Sequence, residues 1–263
     1  MRPLFLAAAL LAFTLAPLDA KVVTKSISYK DGDVDLEGHL AWDDAVAGKR
    51  PGVLVVHEWW GLNDYARGRA EQLAALGYAT FAIDMYGKGK LAKHPDEARA
   101  FAGEIRKSVD GWRKRALAAL EVFKQQPVVD ATRLASMGYC FGGGTSLQLA
   151  YLGTADLKAV VSFHGALPAY DPAIGKPITA KILICHGADD PFIPEEQVKA
   201  FQKAMNDAKA DWHMVNYGGA RHSFTVPGAD KIGIDGMRYS ESADKRSWAH
   251  MERFLKEAFA DAK

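Results

Sequence analysis

Apolar positions along the chain fall into two patterns. Continuous apolar runs occur at Gly52–Val56, Tyr78–Ile83, Ala159–Phe163 and Lys181–Cys185, with a shorter one at Arg133–Met137. Such runs suit strands buried on both faces of a parallel sheet. Between them lie amphipathic stretches that predict helices at Asn63–Leu76, Pro95–Lys107, Gly111–Lys124, Glu195–Ala208 and Ala243–Ala260, with Leu147–Leu152 inside another. Asn63 is the expected N-cap of the first helix and Gly77 its stop. Val22–Tyr29 and Val34–Trp42 alternate as strands around the turn Asp31-Gly32-Asp33, which predicts a hairpin, and Trp212–Tyr217 is a final strand. Repeated strand–helix units imply an α/β fold, a mostly parallel central sheet with helices on both faces. Two segments rich in Gly and polar residues, 85–94 and 225–240, are expected to be loops over the C-terminal edge of the sheet, where ligands bind in open α/β folds.

The first twenty residues stand apart. Arg2 precedes an apolar run from Leu4 to Leu15, and Ala16-Pro17-Leu18-Asp19-Ala20 follows. A basic start, a short apolar centre and a small final residue read as a secretory signal, with cleavage expected after Ala20. The remaining 21–263 reads as one domain that is periplasmic or secreted and has no membrane span. With 33 Lys and Arg against 32 Asp and Glu, the net charge is +1. That balance gives no reason to expect nucleic acid as a partner. The two cysteines, Cys140 and Cys185, form no zinc-like cluster, and no metal is expected. Cys185 ends a buried run and reads as packing.

The candidate chemistry centres on Gly138-Tyr139-Cys140-Phe141-Gly142-Gly143, between a predicted strand and a predicted helix. This is a nucleophile-elbow pattern with cysteine at the reactive position. The glycines allow a sharp turn, and the amides at the start of the next helix favour a thiolate and a developing oxyanion. Gly187-Ala188-Asp189-Asp190-Pro191 follows one strand and Gly219-Ala220-Arg221-His222 the next, giving the chain order nucleophile, acid, histidine. Asp190 is the expected orienting acid, with Asp189 as the alternative, and His222 is the general base. Phe141 is expected to give one oxyanion amide and Trp59 the second. Glu58, in His57-Glu58-Trp59-Trp60-Gly61, places a carboxylate near the nucleophile. Trp59 and Trp60 are read as pocket or core residues, and His164 as structural.

On these segments, together with Asp84-Met85-Tyr86, Asp190-Pro191-Phe192-Ile193-Pro194 and His222-Ser223-Phe224, the chain resembles the dienelactone hydrolase family over nearly all of residues 21–263. The resemblance implies an α/β-hydrolase fold. It also implies a Cys140–Asp190–His222 triad with Glu58 holding or deprotonating the thiol, and lactone or ester hydrolysis through a thioester without a cofactor. The partner implied is a small-molecule ester or lactone; the oligomeric state stays open. Well-known members grip a substrate carboxylate with two arginines. Lys88 stands at the first of those positions and Val226 at the second, so Lys88, Tyr86 and Trp60 are the expected substrate contacts, with Lys90 and Arg221 as further cations. A hydrolase-fold binding protein without turnover and a thiol redox or stress protein are the competing readings. The intact Cys, Asp, His and Glu set argues against the first, and the burial expected for Cys185 leaves the second without a resolving thiol.

Overall fold

A computed structural model of the chain describes residues 21–260; the expected leader lies outside the described residues. β1 (Val22–Asp31) and β2 (Val34–Asp43) pair antiparallel, and Gly32 turns the hairpin at φ 59°. The left-handed conformation at that turn costs glycine nothing in Cβ clashes. β3 (Arg50–Val56), β4 (Ala79–Ile83), β5 (Val129–Tyr139), β6 (Leu157–Phe163), β7 (Lys181–Gly187) and β8 (Trp212–Tyr217) complete one sheet in the order β1-β2-β4-β3-β5-β6-β7-β8. All pairings from β4 through β8 are parallel. The helices are α1 (Asp64–Ala75), α2 (Pro95–Arg106), α3 (Val109–Lys124), α4 (Phe141–Tyr151), α5 (Glu195–Asp207) and α6 (Glu241–Ala260). As expected, the Asn63 side chain caps α1, accepting from the Ala66 amide at 3.2 Å.

The continuous apolar runs have the physical cause inferred for them. Along β3, Val53 and Val55 enter one core with Ala66, Ala70 and Leu73 of α1 and with Met251, Phe254 and Leu255 of α6. Leu54 and Val56 enter the other, with residues of α3, α4 and α5. Side chains alternate across a strand, so a strand covered on both faces must be apolar at every position.

The chain departs from the sequence reading around the elbow. β5 starts four residues earlier than predicted and runs on to Tyr139, and α4 begins at Phe141, where only its C-terminal half from Leu147 was legible. Gly142, Gly143 and Gly144 are poor helix formers. Packing overrides that preference, because a Cβ on Gly142 would lie 2.2 Å from the Val56 carbonyl oxygen. This glycine lets the start of α4 press against the end of β3.

Sheet order fixes where chemistry can occur. From β3 the chain passes through α1 to β4 on one side, and later enters β5 on the other. The C-terminal ends of β3 and β5, paired at Val56 and Gly138, thus border the crevice of a topological switch point. The loops after β7 and β8 open on the same edge.

Candidate active site

Cys140 occupies the tight turn between β5 and α4 with φ 53° and ψ −112°. Holding a non-glycine residue there costs about 1–3 kcal/mol. The surroundings enforce it. The Cys140 amide donates to the Phe163 carbonyl at 3.0 Å, and its own carbonyl accepts from the Gly143 amide at 3.1 Å. Gly138 leaves no alternative, since a Cβ there would lie 2.1 Å from the Gly142 carbonyl oxygen. The half-buried Cys140 side chain faces a cavity of about 370 Å³. Phe141 is the first residue of α4, so its amide has no acceptor within the helix.

His222 lines the same cavity. Its loop is pinned on both sides: the His222 amide donates to the Gly236 carbonyl and the Arg238 amide to the His222 carbonyl, each at 3.0 Å. His222 Nδ1 lies 2.7 Å from Asp190 Oδ2, and the carboxylate fixes Nδ1 as the protonated nitrogen. Asp190 is held in turn by the Phe192 amide, which donates to Oδ1 at 2.9 Å. Asp189 is exposed, and its amide donates to the Ala220 carbonyl, so of the two acids Asp190 is the one that touches the imidazole. Burial alone would hold the His222 pKa down. The Cys140 sulfur and the bond to Asp190 outweigh burial and raise it well above the usual histidine range.

Glu58 is buried beside this pair. The Ser223 hydroxyl donates to Glu58 Oε1 at 2.9 Å, and His164 Nδ1 lies 3.9 Å from the same oxygen. Burial pushes the Glu58 carboxyl up, against the opposing pull of His222 and the Ser223 bond. Burial, followed by the charge of His222, holds His164 well below the usual range, so it is a neutral member of the cluster. His57 braces the β3 loop. Its Nε2 accepts from the Met85 amide at 3.2 Å, which leaves Nδ1 to donate to the Glu58 carbonyl. Among the described residues no group of three or more His, Cys, Asp or Glu could hold a metal ion. Both cysteines are free, and burial lifts the Cys185 thiol to about 12.

The expected substrate contacts need correction. Lys88 is not in the cavity wall; it is exposed and pairs with Glu37 of β2 at 2.9 Å, because the loop after β4 folds back over the N-terminal hairpin. Tyr86 is buried behind the wall, where its hydroxyl donates to the Trp59 carbonyl at 3.1 Å and supports the β3 loop. Trp60 packs edge-on against Trp59, ring centroids 5.2 Å apart, and only Trp59 of the two reaches the cavity. Lys90 lies over the Phe101 ring and Arg221 pairs with Asp235, so neither supplies the missing cation. Of the two loops expected over the site, 225–240 contributes Ile234 and Met237, whereas 85–94 contributes nothing. Its place is taken by α2, through Pro95, Arg99 and Arg106. No sequence motif marks these arginines, although their separation of seven residues on a predicted helix puts them on one face.

The dienelactone hydrolase family model matches residues 36–259. A putative carboxymethylenebutenolidase of Salmonella typhimurium is 28% identical over 230 residues, covering 82% of this chain and 81% of its own. Two solved structures superpose with a TM-score of 0.87, each over 90% of this chain and 99% of its own. One, m3DLH, is 41% identical; the other, the dienelactone hydrolase-like promiscuous phosphotriesterase P91 from metagenomic libraries, is 39% identical.

Proposed function

The chain belongs to the dienelactone hydrolase family, and from that premise we propose that it hydrolyses carboxylic esters or lactones through a thioester on Cys140. The observation that carries this reading is the convergence of Cys140 and the Asp190–His222 pair on one cavity. In the reaction, the Cys140 thiolate attacks the carbonyl carbon and the carbonyl π electrons move to oxygen. The amides of Phe141 and Trp59 receive that oxyanion. Collapse re-forms the carbonyl and expels the alkoxide, which takes its proton from the His222 imidazolium. Water then attacks the thioester, His222 accepts a water proton, and the thiolate departs as the acid is released. In a lactone the alkoxide stays tethered to the acyl group, and the product is a hydroxy acid or its tautomer. The test is a panel of chromogenic short-chain esters and unsaturated lactones with purified residues 21–263. Turnover of at least one is expected, and a panel left wholly untouched would contradict the reading.

In the same scheme Glu58 receives the resting thiol proton when substrate enters. Glu58→Gln is expected to lower ester turnover by about 10²-fold with the fold retained. Initial rates beside thermal melts check this, and unchanged turnover would reduce Glu58 to a structural acid.

Export is part of the proposal. The charge and apolar pattern of residues 1–20 supports it. Mass spectrometry of protein from its native host is expected to find Lys21 at or near the N-terminus, and recovery of the full-length chain from the cytoplasm would reject it.

A further inference from the structure

His164 takes no part in hydrolysis as written, yet it is built into the site. Among the described residues four non-glycine residues have positive φ: Cys140 at 53°, His164 at 39°, Ser223 at 54° and Lys209 at 53°. The first three all belong to the cluster around Cys140, His222 and Glu58. Such backbone is costly and persists only where the surroundings enforce it. At His164 the enforcing contact is its amide, which donates to the Cys185 carbonyl at 2.8 Å. The side chain is fully buried, with its ring centre 5.3 Å from that of His222. Nδ1 has no hydrogen-bond partner among the described residues. It faces Glu58 Oε1 at 3.9 Å, the oxygen that already accepts from the Ser223 hydroxyl.

Hydrogen bonds behind the ring decide which nitrogen carries the proton. Arg69 of α1 can only donate. Its Nη2 bonds Asp244 Oδ1 of α6 at 2.6 Å and the Thr225 carbonyl at 2.8 Å, and its Nε donates to the Tyr65 hydroxyl oxygen at 3.2 Å. Tyr65 therefore directs its own proton onward. The Thr225 hydroxyl lies 2.6 Å away, whereas the Thr225 carbonyl is farther, at 3.2 Å, and already bonded to Arg69. With Tyr65 donating to Thr225 Oγ1, the threonine proton points at His164 Nε2, 2.7 Å away. Nε2 is then an acceptor. Burial, followed by the charge of His222, keeps the ring neutral, so Nδ1 carries its single N–H.

We infer that Tyr65 and Thr225, anchored on Arg69, fix His164 as the Nδ1–H tautomer, and that His164 thereby positions Glu58. Closing 3.9 Å to an ordinary N–H···O length takes a movement of about 1 Å. Two donors, the Ser223 hydroxyl and the His164 N–H, then hold Oε1 and favour the ionised carboxylate against the burial that opposes it. An ionised Glu58 is the form able to receive the thiol proton, so the effect on turnover rests on the hydrolase reading above. None of His164, Thr225 and Tyr65 lines the cavity, so they are positioning residues that act through Glu58.

The test has a spectroscopic arm and a kinetic arm. Nitrogen-15 NMR of protein labelled in its histidine rings reads the tautomer directly, and the signals lost in His164→Asn identify the residue. The Nδ1–H form is expected in wild type, and an Nε2–H form would overturn the chain. In the kinetic arm, His164→Gln, whose amide reaches the Nε2 position, should lower kcat for a chromogenic ester about 10-fold, the size of one charge-assisted hydrogen bond, with KM little changed. His164→Asn, whose amide can stand at the Nδ1 position, should recover most of that loss. Thr225→Val should lower kcat about 3-fold, and Thr225→Ser, which keeps the hydroxyl, should recover it. In a Glu58→Gln background neither His164→Gln nor Thr225→Val should lower kcat further by more than about twofold, because the group they act through is gone. Equal losses with and without the Glu58 carboxylate would overturn the positioning role. An Nδ1–H tautomer in a protein that turns over no ester would uphold the chain and remove the hydrolase reading.

Discussion

Replacing Cys140 by alanine is expected to lower kcat/KM for ester hydrolysis by at least about 10³-fold, with the fold retained. The sulfur is the only protein atom in the scheme that bonds covalently to substrate, so its loss removes the covalent route and leaves only binding and oxyanion stabilisation. Folding should survive. The turn is fixed by the Cys140 amide and carbonyl, which donate to and accept from Phe163 and Gly143, and alanine keeps both groups. Cys140→Ser should retain a trace of activity, because an alkoxide forms far less readily than a thiolate. Initial rates with a chromogenic ester, beside thermal melts of both variants, check the prediction. Near-normal turnover in Cys140→Ala would remove the mechanism.

The second large effect is expected at His222. His222→Ala should cost about 10²- to 10⁴-fold in kcat, since in the proposed scheme His222 protonates the leaving oxygen and later deprotonates water. Asp190→Asn should cost less. The carboxylate moves no proton; it sets the Nδ1 tautomer and stabilises the imidazolium across 2.7 Å. The pH dependence should change as well. The negative charge of Asp190 helps raise the His222 pKa, so Asp190→Asn should confine the acid form of His222 to lower pH. Asp189→Asn should be near wild type, because that side chain is exposed and the contact that holds the residue runs through its backbone amide. A larger loss from Asp189→Asn than from Asp190→Asn would reassign the acid.

Strand cores were legible because a strand buried on both faces leaves an unbroken apolar run, as Val53 to Val56 does. The candidate trio was legible because each member follows a predicted strand, and the fold gathers the C-terminal ends of those strands on one edge. The start of α4 was not legible, since Gly142–Gly144 gain their helical conformation from close packing on β3 and β6 that local propensity does not encode. Choosing Asp190 over Asp189 required geometry, because two adjacent turn acids carry the same local signal. The substrate contacts were misread for a different reason. The loop with Tyr86 and Lys88 follows a strand end and is polar, which are the marks of a site loop. Its direction is set by contacts with β2, including Lys88–Glu37, which strand spacing does not reveal. Conversely, α2 reads as a scaffold helix, and only its packing beside the elbow turns Arg106 toward the cavity.

The central claim is a covalent thioester, and the most direct measurement is the intact mass of wild-type protein quenched in acid during turnover of a slow aryl ester. The predicted result is a single added acyl group, lost on further incubation, absent from Cys140→Ala, and located by peptide mapping on Cys140. Turnover with no acyl group on the protein, or with the acyl group on any other residue, would contradict the account.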